Sequence, residues 1–367
     1  MNNTWLSDYV IIPSILILAI LLVFPLLVGY IVYVERKVLA FIQSRLGPMR
    51  VGPYGLLQPL ADAVKLLTKE DIAPRDADVF VFKIAPIILL VVGLTGLAFL
   101  PMGEGFTLFG YDISLSIVDV NVGVLFLLAL MSLSIYSLVL GGWASNSKYP
   151  LLGALRSAAQ MVSYEVALTF TILATLMIAG TLSMNGIIDA QREAGLWYVF
   201  VQPVGFVLFI IAMVAETNRL PFDLPEAESE LVSGFHTEYT GMRFALFFLA
   251  EYAAMYLVAA VAVVLFIGGW WSGIYPLDAL GTGPDATIYT KTLGLLVKVG
   301  VFLSKACALV FGQMWIRWTL PRIRLDQMMY VCWKVLLPVS LVCLIGSCLW
   351  ELATGGASVF GFGIVVK

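Results

Sequence analysis

Charge is the first thing this sequence lacks. Only 12% of its 367 residues are charged, against 61% that are hydrophobic, and its mean hydropathy is +0.97. Soluble domains carry about 25% charged residues, so this composition excludes a soluble globular chain and describes a membrane protein. The net charge is only −3, which points neither to nucleic acid nor to a polybasic membrane-surface segment. Histidine is scarcer still. His236 is the only one, so a haem held between two axial histidines cannot be built. The four cysteines, Cys307, Cys332, Cys343 and Cys348, form no CxxC and fall in apolar helical stretches. Free cysteines there behave as small hydrophobes, and no thiolate set for an iron–sulfur cluster exists. The chain has no GxGxxG after a strand and no Walker A sequence, so no nucleotide cradle is indicated. No metal site is expected, and any electrons this protein deals with are carried elsewhere.

What it does have is long apolar runs. A span needs about 20 residues to cross roughly 30 Å of hydrocarbon, and eight runs qualify, near 10–33, 80–101, 121–142, 157–180, 199–217, 242–269, 292–316 and 330–350. The first is preceded by no basic residues and is too long for a signal-peptide core, so it is expected to be a permanent span. Segment 351–367 is apolar but Gly-rich and too short for a ninth. The expected fold is an all-α polytopic membrane protein, one transmembrane domain over residues 1–367.

Lysine and arginine set the orientation. Sixteen fall in the loops on one side and three on the other, which puts the rich side in the cytoplasm and both termini outside, on the periplasmic side of a bacterial membrane. The first cytoplasmic loop is structured. Residues 55–69 place Leu56, Leu57, Leu60, Val64 and Leu67 on one helical face and Gln58, Asp62, Lys65 and Lys69 on the other. That pattern predicts an amphipathic helix in the membrane plane.

The most unusual stretch is Glu216–Glu251. It carries seven of the 24 acidic residues, Glu216, Asp223, Glu226, Glu228, Glu230, Glu238 and Glu251, opposed only by Arg219 and Arg243. Its loop, about 217–241, is expected to face the cytoplasm. Charges also occur inside spans, where they usually face protein or water and mark a path. Glu165, Glu251 and Lys305 are expected at a similar level, roughly 14–17 Å in from the cytoplasmic ends of their spans at 1.5 Å per residue. Lys298 lies on nearly the same face as Lys305, farther out. The functional reading is a proton path of carboxylates and lysines whose buried carboxyls have raised pKa values; the structural one is helix pairing by ion pairs. A lone histidine such as His236 is more often a surface or capping residue than a relay.

The stretches PFDLPEAESELVSG (221–234) and HTEYTGMRFALFFLAEY (236–252) resemble the signature of one family of respiratory complex I proteins, the H-type membrane subunits that hold the quinone channel. Three further stretches agree, in order: VERKVLAFIQSRLGPMRVGPYGLLQPLADAVKLLTKED (34–71), GGWASNSKYPLLGALRSAAQMVSYE (141–165) and WIRWTLPRIRLDQMM (315–329). The resemblance implies a membrane subunit of NADH:quinone oxidoreductase. Such a subunit binds no cofactor itself, takes quinone as substrate, and works beside partner subunits that carry flavin and iron–sulfur clusters. It also implies that Glu35, Arg36, Arg45, Asp62, Ala63, Lys65, Arg219 and Phe222 border a quinone channel. Glu165, Glu216, Glu226, Glu228, Glu230 and Glu251 would form the acidic path that couples quinone reduction to proton translocation, with Lys298 and Lys305 added from their depth. Two alternatives stand beside it: the equivalent subunit of a membrane-bound hydrogenase or other-donor dehydrogenase, and a free-standing ion-coupled transporter.

Overall fold

A computed structural model describes residues 12–104, 106–108, 111–113, 116–225, 228–278, 280 and 288–354 of the chain. Helices dominate. They are α1 (Ile12–Ile42), α2 (Gln58–Thr68), α3 (Val79–Ala98), α4 (Gly123–Ala144), α5 (Lys148–Ala179), α6 (Met184–Ala194), α7 (Pro203–Glu216), α8 (Gly241–Phe266), α9 (Ile288–Thr319), α10 (Leu325–Val331) and α11 (Leu337–Thr354). A π-helical turn, Cys332–Leu336, joins the last two into one rod. One small departure from the all-α expectation is a hairpin of two short strands, β1 (Phe106–Leu108) and β2 (Tyr111–Ile113), paired antiparallel with Leu108 opposite Tyr111.

Among the described residues, seven helical segments are long and apolar enough to cross a membrane, and the protein is a polytopic membrane protein. The fifth expected span, 199–217, is not one continuous helix. A short turn, Tyr198–Val201, is followed by α7, and the chain breaks between them at Gln202, with φ −131° and ψ 61°. The cause is Pro203. Proline has no N–H to continue the ladder and drives the preceding residue out of the helical region. Gln202 then spends its side chain across the bundle. Its Oε1 accepts from Thr175 Oγ1 at 3.0 Å, and its Nε2 donates to Ser347 Oγ at 2.8 Å.

Helix α8 is the axle. Every residue from Met255 to Phe266 is buried, and α1, α2, α3, α7 and α9 all pack on it. Its small residues explain this, because Ala253, Ala259, Ala260 and Ala262 let neighbouring backbones come close. Helix α2 lies within the first long loop and has no buried residue. It lies against α1, where Gly29 leaves room for Pro59: a Cβ there would sit 3.3 Å from the proline ring. The expected helix 55–69 is thus present, three residues shorter at its start and one at its end.

The acidic loop is fastened at the same end of the bundle as α2. Arg243 pairs with Asp71 at 3.0 Å, and Thr240 Oγ1 accepts from Ile72 N at 3.0 Å. Phe235 and Tyr239 drop from the loop into an apolar cluster with Phe82, Leu138 and Phe247. Tyr239 stacks on Phe82 with ring centroids 4.0 Å apart. Much of the loop is therefore anchored by aromatic packing, which is worth about 0.5–1.5 kcal/mol per pair beyond burial.

Candidate functional site

The site begins at adjacent residues of α1. Glu35 and Arg36 are successive, so their side chains leave the helix about 100° apart, at 3.6 residues per turn. Arg36 turns outward and pairs with Asp62 of α2 at 2.6 Å. Glu35 turns into the bundle. There Arg219 Nη1 donates to Glu35 Oε2 at 2.9 Å, and Arg317 Nη1 donates to Glu35 Oε1 at 2.5 Å. Arg219 also donates from Nε to Glu251 Oε1 at 3.1 Å and lies over the Tyr252 ring, 4.2 Å from its centroid. Arg219 is the largest fully buried side chain among the described residues, with 1% of it exposed. It holds together α1, the loop after α7, and α8. The opposite charges of Glu251 and Glu35 keep its proton on more firmly than usual, against the desolvation that opposes it.

The loop that delivers Arg219 turns sharply. Helix α7 ends at Glu216, Asn218 has φ 52°, and the Leu220–Pro221 bond is cis. Asparagine tolerates the left-handed region better than most residues. Phe222 follows, buried and packed on Tyr164 of α5 with centroids 5.2 Å apart.

Glu216 and Glu251 line one cavity of about 410 Å³, together with Arg317, Asn218, Thr217, Ser134 and His236. Much of the rest of its wall is apolar, including Leu89, Val92, Met131 and Phe248. Glu216 Oε2, Asn218 Oδ1 and Arg317 Nε are buried and have no hydrogen-bond partner among the described residues. Glu165, on α5, accepts from Ser132 of α4 and is close enough to Glu216 for the two carboxylates to repel each other. A space of this size with orphaned acceptors and donors suits ordered water.

The other expected residues divide. Arg45, Ala63 and Lys65 are exposed beside α2. Glu230 is on the surface, 51% exposed, paired with Arg156 at 2.5 Å and Arg322 at 3.6 Å. The hydrogen bond from Arg156 holds its carboxyl below the usual carboxylate range. Glu226 lies outside the described residues, as does the side chain of Glu228.

Lys305 is not where the depth reading put it. Lys305 Nζ donates to three backbone carbonyls just past the end of α8: Ile267 at 2.7 Å, Gly269 at 3.1 Å and Trp271 at 2.5 Å. Ile267 is sixteen residues beyond Glu251, about 24 Å along a helix at 1.5 Å per residue. Lys298 pairs with Glu104, as Arg192 does, and both cations lie over the Trp270 ring. The reason for the difference is packing. Lys305 meets the chain beyond the far end of α8 rather than its middle, so counting from the predicted end of each span did not compare like levels. Sequence reasoning also missed Arg317, which it counted only as a loop charge. Its signal was its place one residue past a predicted span end, near enough for its side chain to reach inward.

The chain's likeness to known proteins is extensive. A family model described as NADH dehydrogenase matches residues 15–348. The chain is 46% identical to the second H-type subunit of NADH-quinone oxidoreductase of Solibacter usitatus, an alignment covering 92% of this chain and 96% of that protein. It is 47% identical to the first H-type subunit of the same enzyme of Geobacter metallireducens, covering 86% and 89%. It is also 48% identical to NADH-quinone oxidoreductase subunit 8 of Rhodothermus marinus, covering 85% and 89%.

Proposed function

This chain belongs to the H-type subunit family of NADH-quinone oxidoreductase, and from that premise we propose that it is the place where quinone reduction becomes proton movement. It is a membrane subunit of a proton-translocating oxidoreductase. Its quinone channel would be bordered by Glu35, Arg36, Asp62, Arg219 and Phe222, with Arg45, Ala63 and Lys65 at the rim near α2. Its proton path would run through Glu216, Glu165 and Glu251, with Glu226, Glu228 and Glu230 on the loop. Electrons would come from flavin and iron–sulfur clusters in partner subunits, since no residue set in this chain suits a redox centre. The protein would sit in a bacterial inner membrane, with eight crossings counting the broken pair at Gln202. The lysine and arginine count supports a cytoplasmic acidic loop.

One observation carries the reading: Arg219 bonds Glu35 on one side and Glu251 on the other, and Glu251 shares a cavity with Glu216. Reduction of a quinone to quinol takes two electrons and two protons. A proton drawn from, or a charge developed near, the Glu35–Arg36–Asp62 corner changes the field at Arg219. Burial makes that field strong, because two unit charges 4 Å apart interact by about 4 kcal/mol at an effective dielectric of 20. Arg219 can answer only by leaning toward one carboxylate or the other, and Glu251 then gains or loses its partner. A carboxylate that loses its cation in a buried cavity takes up a proton, and Glu216 and Glu165 lie next along the path. The loop would shift with Arg219, since the guanidinium is its innermost anchor.

The test uses the intact complex in liposomes. Glu216→Ala and Glu228→Gln are expected to lower quinone reduction coupled to pumping, while assembly and electron flow from NADH to an artificial acceptor stay intact. Unchanged coupled turnover in both variants removes the proton-path reading. Arg36→Ala is expected to weaken quinone-site inhibitors, and unaltered inhibitor sensitivity would remove Arg36 from the channel.

A further inference from the structure

The cavity that holds Glu216 and Glu251 has a third titratable wall. His236, on the short helical turn Gly234–His236, lines it together with Ser233, Thr237 and Tyr239. The histidine is half-buried and is one of the residues that line the cavity. The two carboxylates are deeper, at the end of α7 and within α8.

Its setting is well defined. The edge of Phe235 meets the imidazole at 4.9 Å between centroids and 81° between planes, and Phe244 flanks it at 5.4 Å. The turn is pressed against α5 at Gly153, where a Cβ would lie 2.8 Å from Gly234 Cα and 2.9 Å from Phe235 N. The ring is thus held by packing in one place at the loop end of the cavity.

Among the described residues, the charges that line the cavity come from three helices. From α7 the cavity receives Glu216, from α8 Glu251, and from α9 Arg317. Helices α3 and α4 contribute Leu89, Val92, Gly93, Met131, Ser134 and Leu138, none of them charged. On α5, Arg156 is engaged with Glu230. Glu251 is engaged with Arg219, and Arg317 with Glu35.

We propose that His236 exchanges protons between the surface of the acidic loop and the cavity that holds Glu216 and Glu251. This rests on the reading of those carboxylates as a proton path. A neutral imidazole presents one N–H donor and one acceptor nitrogen. It can take a proton on the acceptor nitrogen from the loop surface and release the other nitrogen's proton toward a carboxylate, which leaves the ring neutral in its other tautomer; a turn of the ring about its Cβ–Cγ bond then restores the first tautomer for the next transfer. Burial pushes the His236 pKa down to about 4, which keeps the ring neutral between transfers at physiological pH.

The experiment compares the intact complex in liposomes carrying the wild-type chain, His236→Gln, His236→Phe, His236→Ala or Glu216→Gln. Phenylalanine keeps the aromatic packing, and glutamine keeps hydrogen bonding without titration. Both are expected to assemble and to keep electron flow from NADH to an artificial acceptor. Both should lose coupled quinone turnover by at least roughly tenfold, less than the 10²–10⁴ of a positioned acid–base group because other steps share control. His236→Ala is expected to recover when free imidazole is added, and Glu216→Gln is not. Unchanged turnover in the glutamine and phenylalanine variants, or an alanine variant that imidazole does not rescue, overturns the proposal. So does loss of assembly in all three histidine variants, which would mark His236 as a packing residue. If Glu216→Gln slows coupled turnover and the histidine variants do not, only the role of His236 falls. If none of the variants changes turnover, the proton path itself falls.

Discussion

Arg219 and Glu35 are 184 positions apart in the chain and form an ion pair at 2.9 Å, with 1% and 4% of their side chains exposed. The pair ties the acidic loop to the first span, and Arg317 and Glu251 extend it to two more helices. Removing one member of a buried pair leaves the other charge uncompensated, at a cost of about 3–5 kcal/mol. Arg219→Met is therefore expected to be worse than the double variant Arg219→Met with Glu35→Gln. A thermal-shift double-mutant cycle on the detergent-solubilised complex measures this. Simple additivity of the two single effects would show that the pair is not an energetic unit.

The loop's seat depends on a glycine. Gly153 Cα faces the backbone of Gly234 and Phe235 so closely that the 2.8–2.9 Å contacts of an added Cβ would be with main-chain atoms, which cannot rotate away. Gly153→Ala is expected to push the Gly234–His236 turn outward and to cost about 1–3 kcal/mol, as overpacking does. Faster proteolysis or hydrogen exchange within 230–240 would report it. A variant as protected as wild type would mean that α5 and the loop separate easily.

The buried imidazole gives the loop a pH dependence of known sign. His236 titrates near 6.5 when exposed and near 4 in place. The unfolded loop binds the extra proton first, so the stability conferred by the loop's packing is complete above about pH 6.5. It falls as pH drops toward 4 and levels off below that. Amide exchange of residues 234–240 should accelerate across this window in the wild-type chain and much less in His236→Gln. An equal acceleration in both would assign the effect to other groups.

Much of this was readable in the sequence, and the failures share a cause. The apolar runs marked seven spans because length and hydropathy suffice for that. The amphipathic pattern around Leu56–Leu67 marked α2 for the same reason. Ion-pair partners were harder. Glu35 and Arg36 are adjacent and looked alike as helix-end charges, yet one is sealed against two arginines and the other sits at the surface. Only the angle of α1 against α8 and α9 decides which is which, and a one-dimensional pattern does not carry that angle. The break at Gln202 was signalled by Pro203 and was overridden by hydropathy. His236 was legible as a residue but not as a cavity wall, because the cavity is closed by helices far apart in the chain.

Lys305 shows how the same limit affects function. Read by depth, it belonged with Glu165 and Glu251; in the fold it caps the carboxyl end of α8 with three hydrogen bonds and lies over Trp197, 4.8 Å from the ring centroid. An ammonium with all three donors engaged by carbonyls has none left to pass along a path. A cation at a helix C-terminus is also favoured by the helix dipole. Lys305→Met should strand those carbonyls in apolar surroundings and cost at least about 1–3 kcal/mol. The thermal stability of the assembled complex should fall, while the protons moved per electron by the molecules that survive stay constant. A Lys305→Met complex with wild-type stability and a reduced proton-to-electron ratio would return the residue to the path.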